Sequence, residues 1–283
     1  MTPRAIRIPL LLASIGLAAC QTEFEADLAA DPLDDAERVT LALDGVELER
    51  SDGTTVEFER NETGEPNMLL FDGDQTYEVV TDNDADDGDF TGIRLLFARN
   101  GSEYVAEDDP TEIEIETPDN PPFVDVDLEV KKDERTTVLM AIDLRLSLTV
   151  DQDDEDATLS PVMRAVRAED EADVAGRVGS SLRNDSACTG GGAAVYAFEG
   201  HDVEPDERNA EDAEPFATAP VSSSDGFYHL ILLPAGEYTL AFTCDGEHEN
   251  GLLEADNDGD GVRFADETEN VTLDEGESER QDF

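Results

Sequence analysis

Between Arg38 and Val166 apolar residues fall on alternate positions. Val39, Leu41 and Leu43 alternate with polar or small residues, Asp44-Gly45 turns or bulges the chain, and Val46 and Leu48 resume the pattern. Ser51-Asp52-Gly53 marks a turn, after which Val56 and Phe58 begin the next segment. Tyr77 and Val79 continue the period, then Ile93, Leu95 and Phe97, then Ile113 and Ile115, then Val124, Val126, Leu128 and Val130. An acidic loop from Asp82 to Asp89 and the turn Asn100-Gly101 interrupt them. A period of two belongs to strands, whose successive side chains point to opposite faces. The most regular stretch runs from Thr136 to Val150, where Val138, Met140, Ile142, Leu144, Leu146, Leu148 and Val150 share one face. The spacing predicts one long strand there, with Leu159 to Val166 closing the region as part of an antiparallel sheet.

A second unit follows an acidic stretch at 169–173. Short strands are predicted at Val174 to Val178, Ala193 to Phe198, Phe227 to Leu233, Tyr238 to Cys244, Val262 to Phe264, Val271 to Leu273 and Arg280 to Phe283. Roughly seven short strands separated by turns suggest a sandwich. The expected fold is therefore all-β, with two antiparallel β-sandwich-like domains at 38–168 and 174–283 joined by a linker at 169–173.

The first nineteen residues read differently. Arg4 and Arg7 precede an apolar run from Ile8 to Ala19, interrupted by Pro9. Twelve residues rise about 18 Å as a helix, too short for a ~30 Å hydrocarbon core. Residues 1–19 are thus expected to be a cleaved export signal. The run ends Leu17-Ala18-Ala19-Cys20, which resembles the lipobox of bacterial lipoproteins. That resemblance implies a diacylglyceryl group on Cys20 and cleavage before it, leaving 264 residues with a net charge of −56. A plain secretory signal with an incidental Cys is the alternative. Two or three acyl chains, at about 0.8 kcal/mol per buried CH₂, hold a protein on a membrane where one chain does so only marginally. Gln21, where the family's sorting rule would need Asp for inner-membrane retention, implies the outer membrane. Residues 20–37 are acidic and Ala-rich, with weak periodicity at Phe24, Leu28 and Leu33, and are read as a tether.

The 283 residues carry 18 basic and 72 acidic side chains, a formal charge of −54 spread along the whole chain. Nucleic acid is excluded as a partner, because phosphate binding needs a Lys/Arg surface, and anionic lipid surfaces are disfavoured. Apart from Lys131 and Lys132 every basic residue is Arg. Dense, distributed acid with Arg in preference to Lys resembles the habit of halophiles. At about 1 M salt the Debye length falls to about 3 Å, so the carboxylates no longer repel over distance. The competing reading is an acidic surface that takes up cations or a basic partner.

Longer resemblances appear once these segments are ordered. A strand carrying Asp44-Gly45-Val46 leads to a Leu-Leu stretch and then to Gly88-Asp89-Phe90-Thr91-Gly92-Ile93-Arg94-Leu95. A long valine/leucine strand and Pro161-Val162-Met163-Arg164-Ala165-Val166 follow. This order resembles the lipoprotein domain-of-unknown-function family 4382 over about residues 38–168. The resemblance implies an envelope lipoprotein domain with no assigned chemistry and no catalytic residue. Ser224-Asp225-Gly226-Phe227-Tyr228 and Leu233-Pro234-Ala235-Gly236-Glu237-Tyr238-Thr239-Leu240 are similar to carboxypeptidase regulatory-like, prealbumin-type domains. Such domains brace or present other modules.

Candidate chemistry is sparse. Cys188 and Cys244 lie in the second unit, and in an oxidising compartment they are expected to form a disulfide. Closing the 55-residue loop between them would contribute about 4 kcal/mol; a metal site is the alternative, without supporting His/Cys spacing. Asp256, Asp258, Asp260 and Glu267 occupy positions 1, 3, 5 and 12 of an EF-hand-type calcium loop, with Gly261 at position 6. Arg263 at position 8 and the lack of flanking helices depart from the pattern, and the competing reading is a solvated acidic turn. Asp82 to Asp89 is similar but lacks the Gly. His201, His229 and His248 are isolated, and no nucleophile elbow, HExxH or P-loop occurs. The expected function is that of a non-enzymatic, membrane-anchored envelope lipoprotein of a halophilic bacterium that binds or scaffolds, held to the outer membrane through Cys20. The alternatives are a calcium-dependent module for a carbohydrate or protein ligand and, behind both, a hydrolase assembled from scattered carboxylates.

Overall fold

The computed structural model describes residues 22–33, 36–61, 64–72, 75–152, 154–184, 192–206, 213–246 and 262–283. The first part of the chain forms β1 (Glu23–Asp31), β2 (Ala36–Thr40), β3 (Leu43–Glu49), β4 (Thr55–Glu59), β5 (Tyr77–Asp82), β6 (Gly88–Phe97), β7 (Glu103–Ala106), β8 (Ile113–Glu116), β9 (Val124–Val130) and β10 (Arg135–Asp143). It continues through a helical turn α1 (Leu144–Ser147) to β11 (Leu148–Asp151), β12 (Asp156–Leu159) and β13 (Met163–Arg167). The second part comprises β14 (Ala172–Arg177), α2 (Ser180–Arg183), β15 (Ala194–Glu199), β16 (Ala217–Pro220), β17 (Phe227–Leu233), β18 (Gly236–Thr243), β19 (Phe264–Leu273) and β20 (Ser278–Arg280).

Strands β1 to β13 build three sheets, ordered β13-β10-β1-β5, β4-β3-β6-β9 and β11-β12-β8-β7-β2. Their inner faces share one core, which holds Phe24, Leu41, Phe90, Tyr104, Leu128 and Met140. Strands β14 to β20 build a smaller sandwich, β17-β14-β20 over β16-β15-β18-β19, around Val174, Val195, Tyr228, Leu240 and Phe242. The fold is all-β and sandwich-like. Its ladders are mixed rather than purely antiparallel, because β1 pairs with β10, β12 with β8, and β14 with β20 in parallel.

Four sequence expectations need correction. Residues 23–31, read as part of a tether, are the inner strand β1, parallel to β10 from Glu23↔Arg135 to Asp31↔Asp143 and antiparallel to β5. Phe24, Ala26, Leu28 and Ala30 all lie in the core, a period of two that the small Ala side chains disguise. The stretch from Thr136 to Val150 is not one strand. The Asp143 carboxylate accepts a hydrogen bond from the Leu146 amide at 3.0 Å, an N-cap that turns the chain. All four α1 residues are buried, so the alternation persists in the sequence while the backbone leaves one sheet for another. The acidic linker is not free either: Ala168–Asp170 forms a 3₁₀ turn and β14 begins at Ala172. Two of the short strands expected in the second sandwich merge into β19.

Candidate functional site

The predicted site residues are mostly apart or out of view. Residues 1–19, Cys20, Cys188, Asp256, Asp258 and Asp260 lie outside the described residues. Glu267 is exposed on β19, and Cys244 is buried just past the end of β18. In the acidic loop at Asp82 the carboxylate accepts from the Asp84 amide at 2.8 Å, so the turn supports itself. His229 pairs with Asp173 at 3.0 Å and His201 reaches the Val271 carbonyl at 3.1 Å. Among the described residues no three His, Cys, Asp or Glu side chains gather as a metal set, and no helix is long and apolar enough to cross a membrane.

The polar chemistry that the fold does concentrate lies between the two sandwiches. The parallel register of β1 and β10 places Asp31 beside Asp143 at the strand ends, and Arg164 stands on the next strand, β13, opposite Ala141. Asp31, Asp143 and Arg164 are each 2% exposed or less. The Arg164 guanidinium forks onto Asp31 through Nη1 (2.6 Å) and Nη2 (2.9 Å), the bidentate geometry that makes such pairs strong. Its remaining donors cross to the second sandwich. Nη2 donates to the Ile231 carbonyl at 2.6 Å, and Nε donates to Ile231 at 2.9 Å and Leu232 at 3.2 Å.

Consecutive carbonyls of a regular strand point in opposite directions. Ile231 and Leu232 can both face one guanidinium because Leu232 has a φ of 50° and the β14–β17 register shifts there, making a bulge. A buried leucine in the left-handed region is strained, and the Arg164 contacts are the compensation visible in the structure. Asp143 also reaches across. One carboxylate oxygen accepts from Leu146 within its own module, and the other accepts from the Thr218 amide of β16 at 2.6 Å. Ala29, Ala141, Val166, Ile231 and Leu232 pack around the charges as one apolar cluster. On the far side of α1, Leu146 packs with Tyr196 and Phe198, and both rings meet Phe264 edge-on.

Burial sets the electrostatics. It pushes the Asp143 carboxyl up to about 7, with the neighbouring Asp31 charge adding to the shift and the Leu146 hydrogen bond opposing it. Burial raises Asp31 as well, against the pull of Arg164, and Asp31 hydrogen-bonds Asp143. Burial works against the Arg164 charge, but the Asp31 ion pair outweighs it and holds the guanidinium above its usual range. The cluster is closed to solvent, so what this arrangement can do is join modules rather than turn over a substrate.

Among the open cavities elsewhere, two border residues singled out in the sequence. A cleft of about 830 Å³ between the modules is lined by Pro32 and Asp72 on one side and by Arg183, Ser222, Phe227 and His229 on the other. A second, of about 480 Å³, lies beside Cys244, Asp245, Arg263 and Glu267, where Arg263 donates to Asp245 at 3.0 Å. Sequence reasoning did not single out Asp31, Asp143 or Arg164. The available signal was a charge set inside an apolar run, as in Met140-Ala141-Ile142-Asp143-Leu144 and Val162-Met163-Arg164-Ala165-Val166.

Among curated proteins none matches the chain. Of solved structures, the chain is similar to the Bacillus anthracis TIE protein at 10% identity and a TM-score of 0.24, over 92% of this chain and 33% of that one. It therefore spans about a third of that protein's length. It is also similar to the major pilin subunit of Bacillus cereus, at 9% identity and a TM-score of 0.21, over 92% of this chain and 99% of that one. The informative match is at the level of family: residues 21–161, from just before β1 to just after β12, match the family described as "Domain of unknown function (DUF4382)".

Proposed function

We propose that the chain is a non-enzymatic envelope lipoprotein of a halophilic bacterium, in which two docked β modules hold a binding or scaffolding surface close to a lipid anchor on Cys20. The observation that carries this reading is the Asp31–Asp143–Arg164 network, which spends its buried polar chemistry on joining the modules and leaves none of it open to a substrate. Two further features agree with it. Only Gln21 and Thr22 separate Cys20 from β1, about 10 Å of extended chain from Cys20 to Glu23, so an anchored module would sit against the membrane. The net charge of −54 suits a surface that works in concentrated salt, where repulsion is screened. The second module is read as a prealbumin-type brace, and a disulfide between Cys188 and Cys244 belongs to the same proposal.

Radiolabelled palmitate supplied to cells making the protein tests the anchor. Label should appear on the wild type and vanish in Cys20→Ser, and an unlabelled wild type overturns the reading. Capture from intact cells in native salt then identifies what the surface holds. A second reading, calcium-dependent recognition of a carbohydrate or protein, rests on the ligand spacing at Asp256, Asp258, Asp260 and Glu267, with Glu267 lining the cavity beside Cys244.

A further inference from the structure

The contact between the modules encloses two carboxyl groups and one guanidinium. Both oxygens of Asp31 are occupied by Arg164, whose other donors go to Ile231 and Leu232. Asp143 adjoins Asp31 and takes backbone hydrogen bonds from Leu146 and Thr218. With both carboxyls ionised, the trio carries a net negative charge out of reach of water, with like charges adjacent. With one proton between them it is neutral, and a protonated Asp143 can donate to Asp31. Among the described residues, the other charged or titratable groups that act on the trio are His229 on β17, which acts on Asp31, and Tyr238 on β18, which acts on Arg164; the buried Arg145 of α1 reaches towards Gly246.

We propose that docking of the second module on the first is proton-linked: the Asp31–Asp143 pair holds one proton while the modules are joined, and losing it loosens the contact at β16 and β17. The direction follows from geometry and burial together. Separation returns Asp143 to water, where its carboxyl reverts to its ordinary value near 3.8, whereas in the docked form it lies at about 7. The docked form therefore binds more protons between those values. The contact is tightest in acid, weakens as the pH rises through that interval, and levels off above about 7.

Hydrogen exchange of the full mature protein in native salt, corrected for intrinsic rate, tests this at residues 217–220 and 229–233. Opening of these strands should rise towards tenfold per pH unit between pH 5 and 7 and then flatten. In Asp143→Asn, which cannot ionise and keeps a single acceptor oxygen for one of the Leu146 and Thr218 amides, opening should be greater at every pH but should not change over the same range. Infrared spectroscopy gives a second measurement, as the difference between wild type and Asp143→Asn. At pH 6 the folded wild type should show a protonated carboxyl stretch that the variant lacks and that disappears by pH 9. Exchange that is flat with pH in the wild type, an unchanged slope in Asp143→Asn, or the absence of that band would each overturn the proposal.

Discussion

Arg164→Met keeps an unbranched aliphatic stem of similar reach and removes the charge and all five N–H donors. Asp31 is then left as a buried carboxylate without its counter-ion, a type of loss that destabilises by about 3–5 kcal/mol. The Ile231 and Leu232 carbonyls lose their acceptor role to Arg164 as well, at about 1 kcal/mol apiece where water does not replace it. The bulge at Leu232 keeps its strain without its partner. A total of about 5–7 kcal/mol is expected, against a whole-protein stability on the order of 5–15 kcal/mol. Urea unfolding in molar NaCl, followed by circular dichroism, measures it without altering ionic strength. With a slope of about 3 kcal/mol per molar, the midpoint should fall by roughly 1.7–2.3 M. The double variant Arg164→Met/Asp31→Leu should recover part of the loss, since an apolar pair of comparable volume often replaces a buried ion pair at little cost. A single variant within about 0.5 kcal/mol of wild type, or a double variant worse than the single, refutes the account of the network.

Other perturbations probe other links. Phe24→Ala removes a fully buried ring on β1 that packs 4.6 Å from Phe58, and should cost about 3–5 kcal/mol in the same urea assay, an effect no tether residue would have. At Gly176 a Cβ would collide with the Gln281 carbonyl, so Gly176→Ala should displace the carboxy-terminal segment and lower stability by at least about 1–3 kcal/mol, seen as accelerated amide exchange at 278–283. Dilution from molar to millimolar NaCl should lower the melting temperature, and an unchanged value would remove the halophile reading. Calcium should raise the melting temperature only if the loop binds it, and that shift should be lost in Asp258→Ala and Asp260→Ala.

The strand-rich character of the chain was legible wherever large apolar residues alternate, as at Val126, Leu128 and Val130 in β9. β1 followed the same period, but two of its four core positions are Ala and its outward positions are acidic, so it resembled a solvated tether. The break at Asp143 was masked because Leu144, Leu146 and Leu148 carry the period of two straight through the turn. Asp143 preceding Leu-Arg-Leu was a capping signal, outweighed by the alternation. Arg164, Asp31 and Asp143 could not be found by periodicity at all. Their environment comes from two modules meeting, and Arg164 pairs with a residue 133 positions away. Pairing parallel strands across such distances depends on tertiary context rather than on local spacing.

The place of β1 in its sheet also dictates the order in which this molecule can be assembled. Glu23 must wait for Arg135, 112 residues downstream, before it finds its ladder partner. The first strand of the fold therefore cannot be seated until β10 has been made, and its place is between β10 and β5. The β1–β10 ladder should therefore form more slowly than the hairpin pairings of the same module, since distant contacts require loop closure before they yield any stabilisation.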